Sequence, residues 1–159
     1  MKQFIKDGFQ GIAFGAVDGV VLALGVLTGM SVLGDRTTVF LSLFATGIAD
    51  AFGNAVGMHV EEESEGNTSR HRVWATTILT FIGTIVVFVI LITPIMVFPL
   101  SLAVKVSWVV GMLLLMGLGA IVATLRGWKK RMISVEYATW GAVASLVSYI
   151  LVGAVKGAI

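Results

Sequence analysis

The sequence contains no cysteine, which excludes disulfides, thiolate metal sites and catalytic thiols. Proline is nearly absent too: there are two, Pro94 and Pro99, both in one short stretch. Charge is scarce, with Asp, Glu, Lys and Arg making up 13% of the chain, and the net charge of +2 is too small to suggest a nucleic-acid partner. No Walker-type phosphate loop, HExxH pair or Ser/His/Asp set is present, and the polar segments are too short to hold a nucleotide domain. Neither a hydrolase nor a nucleotide-driven pump is expected, and no enzyme activity. What the chain has instead is apolar surface. Hydrophobic residues reach 57% of the 159, the mean hydropathy is +0.98, and a soluble domain of this length needs more polar surface than that. Nineteen glycines fit membrane helices, whose backbones approach through small residues. The expected class is an all-α, multi-pass integral membrane protein forming a single transmembrane domain over residues 1–159.

A membrane-crossing helix needs roughly 20 mostly apolar residues. Five segments qualify, about Gly11–Leu33, Val39–Val60, Val73–Val97, Leu102–Leu125 and Ala138–Val155. Of the connections, only Glu61–Arg72 and Arg126–Glu136 carry much polarity. Pro94 and Pro99 are expected to mark the turn between the third and fourth spans, since proline interrupts a helix interior. No small-residue cleavage site closes the first apolar run, so it reads as a retained span. Residues Met1 to Gln10 are expected to form a short interfacial helix, with Phe4, Ile5 and Phe9 on lipid. Basic residues set the orientation. With the N-terminus inside, Lys2, Lys6, Arg70, Arg72, Arg126, Lys129, Lys130 and Arg131 are cytoplasmic, against Arg36, Lys105 and Lys156 outside. That bias predicts a cytoplasmic N-terminus and an external C-terminus.

The residues that a bilayer should reject carry the functional information. Asp18 falls in the first span and Asp50 in the middle of the second, and a carboxylate at that depth costs at least ~2.5 kcal/mol. Each is either a protonated group bonded to a neighbouring helix or part of an ion or proton site. Asp50, Asn54 and Met58 recur every four residues and so share one helical face. Continuing that helix brings Glu61, Glu62 and Glu65 to the same side at the cytoplasmic end, with His59 beside the stripe. Oxygen donors suit hard or borderline divalent cations, and thioether and imidazole favour softer ones, so this mixed set fits a transition metal better than calcium. The alternative is a helix packed on a polar bundle interior with Met58 as filler. Glu61, Glu62, Glu63 and Glu65 are either a cation-concentrating mouth or a solvated helix end. Met112 and Met116 share a face of the fourth span and are weaker candidates, because methionine in an apolar helix usually packs. Ser145, Ser148 and Tyr149 of the fifth span can hydrogen-bond across helices. Glycines 11, 15 and 19, 25 and 29, and 53 and 57 form small-residue faces, and their concentration on spans one and two predicts that those helices pack tightly, within one chain or across a dimer.

Gly15-Ala-Val-Asp18-Gly19, followed by Gly25 and Gly29, resembles the first-helix signature of the vacuolar iron transporter family, Gly-x-x-Asp-Gly with two further glycines. The second span, Ala49 to Gly57, resembles that family's small-residue second helix, and Tyr149 fits a tyrosine of its last helix. The resemblance implies a homodimeric exporter of cytosolic ferrous iron, and often manganese, exchanging metal for protons along the dimer interface, with Asp18 as the first-helix carboxylate. Two departures stand out. The family's second-helix Met and Glu are Asn54 and Met58 here, with Asp50 offering a carboxylate one turn deeper. The cytosolic metal-binding domain that many members insert between spans two and three has no counterpart in Glu61–Arg72.

The expected function is therefore export of Fe(II) or Mn(II) by a homodimer in the lipid bilayer, with protons as the exchanged ion and no permanently bound cofactor. The expected site comprises Asp18, Asp50, Asn54, Met58, Glu61, Glu62 and Glu65, with His59, Met112 and Met116 secondary. Two alternatives stay open: a non-transporting membrane subunit or metal-responsive partner with structural carboxylates, and a transporter of the same fold for another cation, such as an organic one.

Overall fold

A computed structural model describes the backbone of residues 2–66 and 68–159, and side chains from residue 8 onward apart from Asn67. Five helices follow one another: α1 (Lys2–Ser31), α2 (Arg36–Ser64), α3 (Arg70–Val97), α4 (Leu100–Arg126) and α5 (Lys130–Ala158). Each is long and apolar enough to cross a membrane. At 27 to 30 residues the helices run roughly 40–45 Å, so their ends outreach a hydrocarbon core about 30 Å thick.

The helix ends have local causes. Asp35 caps α2, accepting from the backbone N–H of Thr37 and Thr38, and these bonds together with the Thr38 hydroxyl hold its carboxyl below the usual range. Gly127 ends α4 at φ 70°, a left-handed conformation that favours glycine. Pro94 does not end α3 as expected. It sits inside the last turn, the Phe98 N–H still reaches the Pro94 carbonyl, and the chain turns at Phe98-Pro99. A proline one turn from a helix end forfeits a single backbone bond, which explains why the helix runs past it. The N-terminal segment also departs from expectation, because residues from Lys2 continue α1 rather than forming a separate helix. The side chains of Phe4 and Ile5 lie outside the described residues. The helices outrun the apolar spans at most ends, since their polar last turns carry no hydropathy signal; α1 alone stops short, at Ser31 rather than Leu33.

Helix α1 stands in the middle and touches the other four, which follow round it in the order α2, α3, α4, α5. Helices α2 and α5, at the two ends of this arc, share no substantial contact. The bundle is therefore open on one side, and α1 looks out through the opening.

The closest packing is between α1 and α3. A Cβ on Gly11 would lie 2.5 Å from the Thr76 carbonyl oxygen, and one on Gly15 2.2 Å from that of Thr80. In return, Gly83 admits the Ile12 carbonyl. Thr76, Thr80 and Thr84 are fully buried along this seam, and the Thr84 hydroxyl donates to the Gly15 carbonyl at 3.1 Å. Higher on α1, Gly25 and Gly29 lie against Ser148 of α5, and the Thr28 hydroxyl donates to the Ser145 carbonyl at 3.1 Å. Within the chain, then, the small-residue faces do not pair α1 with α2. Those of α1 meet α3 and α5 of the same chain, while Gly53 and Gly57 of α2 face outward with nothing nearby. Small residues permit close approach but do not name the partner.

Val20, Leu24, Leu27, Leu43, Leu91, Ile95 and Leu115 form the buried apolar centre. Outward positions such as Leu41, Phe52, Val89, Leu113 and Leu146 are apolar as well, as lipid contact requires. At the end of the bundle away from the N-terminus, Arg36 donates to the Met96 carbonyl and Lys156 to that of Val32 at 2.7 Å. Both cations sit where helix C-termini expose unpaired carbonyls.

Candidate cation site

Asp18 and Asp50 are brought together by the adjacency of α1 and α2. The middle turns of α1, at Gly11, Gly15 and Gly19, are held against α3 by the glycine–threonine seam, which fixes the rotation of α1 and aims Asp18 toward α2. On α2, the buried residues Gly47, Ala51, Ala55, Met58 and Glu62 define the inward stripe, and Asp50 and Asn54 lie at its edge, half-buried. The Asn54 amide donates to Asp18 Oδ2 at 2.9 Å and approaches the Thr84 hydroxyl at 3.5 Å. The Asp50 carboxyl lies close enough to the Asp18 carboxyl and to Asn54 for each to act on its charge. One of its oxygens, Oδ2, is buried and takes no hydrogen bond among the described residues. Two carboxylates in contact repel one another unless a proton or a cation lies between them. An unpartnered buried oxygen there fits such an occupant.

Asp18 also borders open space. One hollow of 730 Å³ lies within the opening between α2 and α5 and is bounded by α1 from Asp18 to Met30, by Ser42 and Thr46 of α2, and by Ser148 of α5. A second, of 470 Å³, lies between the lower half of α1 and α5 and is lined by Asp18 together with Phe14, Tyr137 and Trp140.

The remaining expected ligands are distributed differently. Met58 is buried on the inward stripe of α2. Glu62, one turn further, is 1% exposed, and its carboxylate is met by Arg72 of α3. Arg72 Nη2 donates to Oε1 at 3.3 Å, while Nε lies 3.1 Å from Oε2, close enough for an ion pair though not aligned as a hydrogen bond. Glu65 is exposed and 3.8 Å from Arg72, and Glu61 is exposed. His59 shares a hydrogen bond with the Thr77 hydroxyl at 3.0 Å, lies 3.4 Å from Glu63, and packs edge-on against Trp74. Met112 packs on the apolar core and Met116 is exposed; neither borders the hollows beside Asp18. Among the described residues, no three His, Asp or Glu side chains converge as a ready-made metal cage. The structure therefore gathers Asp18, Asp50 and Asn54, and leaves the acidic helix end as a separate group.

Comparison of the chain with known proteins found no matching family model and no significant match among curated proteins.

Residues outside the expected set complete the picture. Thr84 supplies the second oxygen facing Asn54, and its signal was the four-residue spacing of Thr76, Thr80 and Thr84, which mirrors that of Gly11, Gly15 and Gly19. Arg72 answers Glu62 across a turn. Phe14, Tyr137 and Trp140 gather by tertiary packing and left no mark in local sequence.

Proposed function

We propose that the protein carries a divalent transition metal, ferrous iron or manganese, out of the cytoplasm in exchange for protons, as a homodimer with a cytoplasmic N-terminus. The observation that carries this reading is the contact between Asp18 and Asp50, with a buried Asp50 oxygen lacking a partner and Asn54 beside it. A divalent ion entering would be held by two ionised carboxylates, joined by the Asn54 amide oxygen once that side chain turns from donating to Asp18, donors that iron(II) and manganese(II) accept. When it leaves, protons relieve the same repulsion. Binding and protonation thus exclude each other at one pair of side chains, the minimum that exchange requires.

The resemblance to vacuolar iron transporters supports the same substrate class, because Asp18 occupies the position of that family's first-helix carboxylate. The charge bias supports the orientation: Arg70, Arg72, Arg126, Lys129, Lys130 and Arg131 fall at the N-terminal end of the bundle. The opening between α2 and α5 supports the homodimer, since a second copy placed there by two-fold symmetry would cover Asp18 from its exposed side.

The test is flux of Fe(II) and Mn(II) into proteoliposomes that contain a pH dye. Wild-type protein is expected to move metal with an opposing pH change. Asp18→Asn, which keeps the shape and removes the charge, is expected to reduce flux to background while the protein still inserts. Asp50→Asn is expected to do the same. Wild-type flux in Asp18→Asn would overturn the mechanism, and metal flux without any pH change would remove the proton exchange alone.

A further inference from the structure

We propose that the hollow between α1 and α5 is a binding site for an organic ammonium ion, a cation that carries its own apolar surface. This inference shares Asp18 with the transport reading but does not depend on metal. The hollow has a volume of 470 Å³, within the range of small-molecule sites, and Asp18 is its only charged wall among the described residues. Phe14, Tyr137 and Trp140 line the same hollow as that carboxylate, with Val17 and Val21 on the α1 side. Three aromatic rings and one acid are the wrong set for a bare metal ion. Divalent metals hold their hydration tightly and ask for several oxygen donors, and ring faces offer none. An alkylated ammonium is weakly hydrated, is attracted by the negative faces of aromatic rings, and buries its carbon shell against valine.

The two faces of Asp18 thus differ in chemistry. Toward α2 it meets Asn54 and Asp50, a polar arrangement. Toward α5 it meets apolar and aromatic walls with room to spare. Trp140 is 63% exposed and Phe14 45% exposed in the single chain, so the hollow is open along its flank. Because both rings are exposed, replacing either leaves the packed core untouched.

The experiment uses the full chain purified in a non-ionic detergent, in chelator-treated buffer without metal. Choline and tetraethylammonium are titrated while the thermal unfolding midpoint is read, with 3,3-dimethyl-1-butanol, the uncharged isostere of choline, run in parallel. Saturable stabilisation by both ammonium ions and none by the isostere is the expected result. Trp140→Leu, Phe14→Leu and Asp18→Asn should each weaken the ammonium ions at least tenfold, while Thr46→Ala in the other hollow should not. Equal stabilisation by the uncharged isostere would overturn the proposal, as would unchanged ammonium affinity in Trp140→Leu and Phe14→Leu. Metal flux is measured separately on wild-type protein. Ammonium binding without metal flux sinks the transport reading alone, and metal flux without ammonium binding sinks this one alone.

Discussion

Asn54 of α2 donates its side-chain amide to Asp18 Oδ2 of α1 at 2.9 Å, and this bond ties together two helices whose glycines face elsewhere. Cross-helix bonds of this kind contribute on average about 0.6 kcal/mol in membrane proteins, and up to about 1.7. Asn54→Ala is expected to cost about 1 kcal/mol in reversible unfolding from mixed micelles, and to loosen α2 from α1 in hydrogen-exchange measurements. Unchanged protection of both helices would remove the bond from the list of fold determinants.

Gly15 and Gly53 make a matched pair of opposite outcome. A Cβ at Gly15 would press on the backbone carbonyl of Thr80, and a backbone atom cannot swing away as a side chain can. Gly15→Ala is expected to destabilise by about 2 kcal/mol or more, in the range of overpacked cores. At Gly53 nothing lies within 4 Å, so Gly53→Ala should be neutral or slightly stabilising through lower chain entropy. Thermal melts of the two variants in one detergent decide the point.

The ion pair between α2 and α3 should respond asymmetrically. The Glu62 side chain is 2% exposed and that of Arg72 is 30% exposed, so the acid depends on its partner more than the base does. Arg72→Ala is expected to cost about 3 kcal/mol, because it strands a buried carboxylate. Glu62→Gln should cost about 1 kcal/mol, since Arg72 still reaches water and Glu65. Combining the two should cost less than their sum, a coupling that a double-mutant cycle reads directly. Strict additivity would mean that the two side chains do not support one another.

Asp35 gives a pH signature outside the spans. Its carboxyl is held below the ordinary value of 3.8 by bonds from Thr38 and Thr37 at the start of α2. A depressed acid contributes stability that is present above the unfolded value and lost as pH falls through the folded one. The unfolding midpoint should therefore drop as pH is lowered below 3.8, and Asp35→Asn should flatten that part of the profile. An identical profile in the variant would assign the acid sensitivity to other carboxylates.

The five helices were legible because a bilayer imposes length and apolarity on each segment separately. The Asp18–Asp50–Asn54 group was half legible. Intramembrane carboxylates avoid lipid, and the spacing of Asp50 and Asn54 fixes them on one face, so both helices had to turn those residues inward or toward a partner. What could not be read was which helix each face would meet. Gly53-x-x-x-Gly57 and Gly11-x-x-x-Gly15 look alike in sequence, yet one faces outward and the other admits a threonine carbonyl. Glu62 shows the same limit. Its position in an acidic run suggested a solvated or metal-facing group, and only the fold of the α2–α3 turn reveals Arg72 against it. Long-range pairing leaves no periodicity to detect.

The incomplete arc of helices has a consequence for traffic. Among the described residues α1 fills the middle of the bundle, and the two hollows beside Asp18 lie at its flank. Whatever lies alongside, an acyl chain or another copy, supplies the missing wall and thereby the local dielectric in which the carboxyl works. The occupancy of that site is then governed partly by its neighbours in the plane, so protein density in the membrane becomes a control variable for the Asp18 carboxyl.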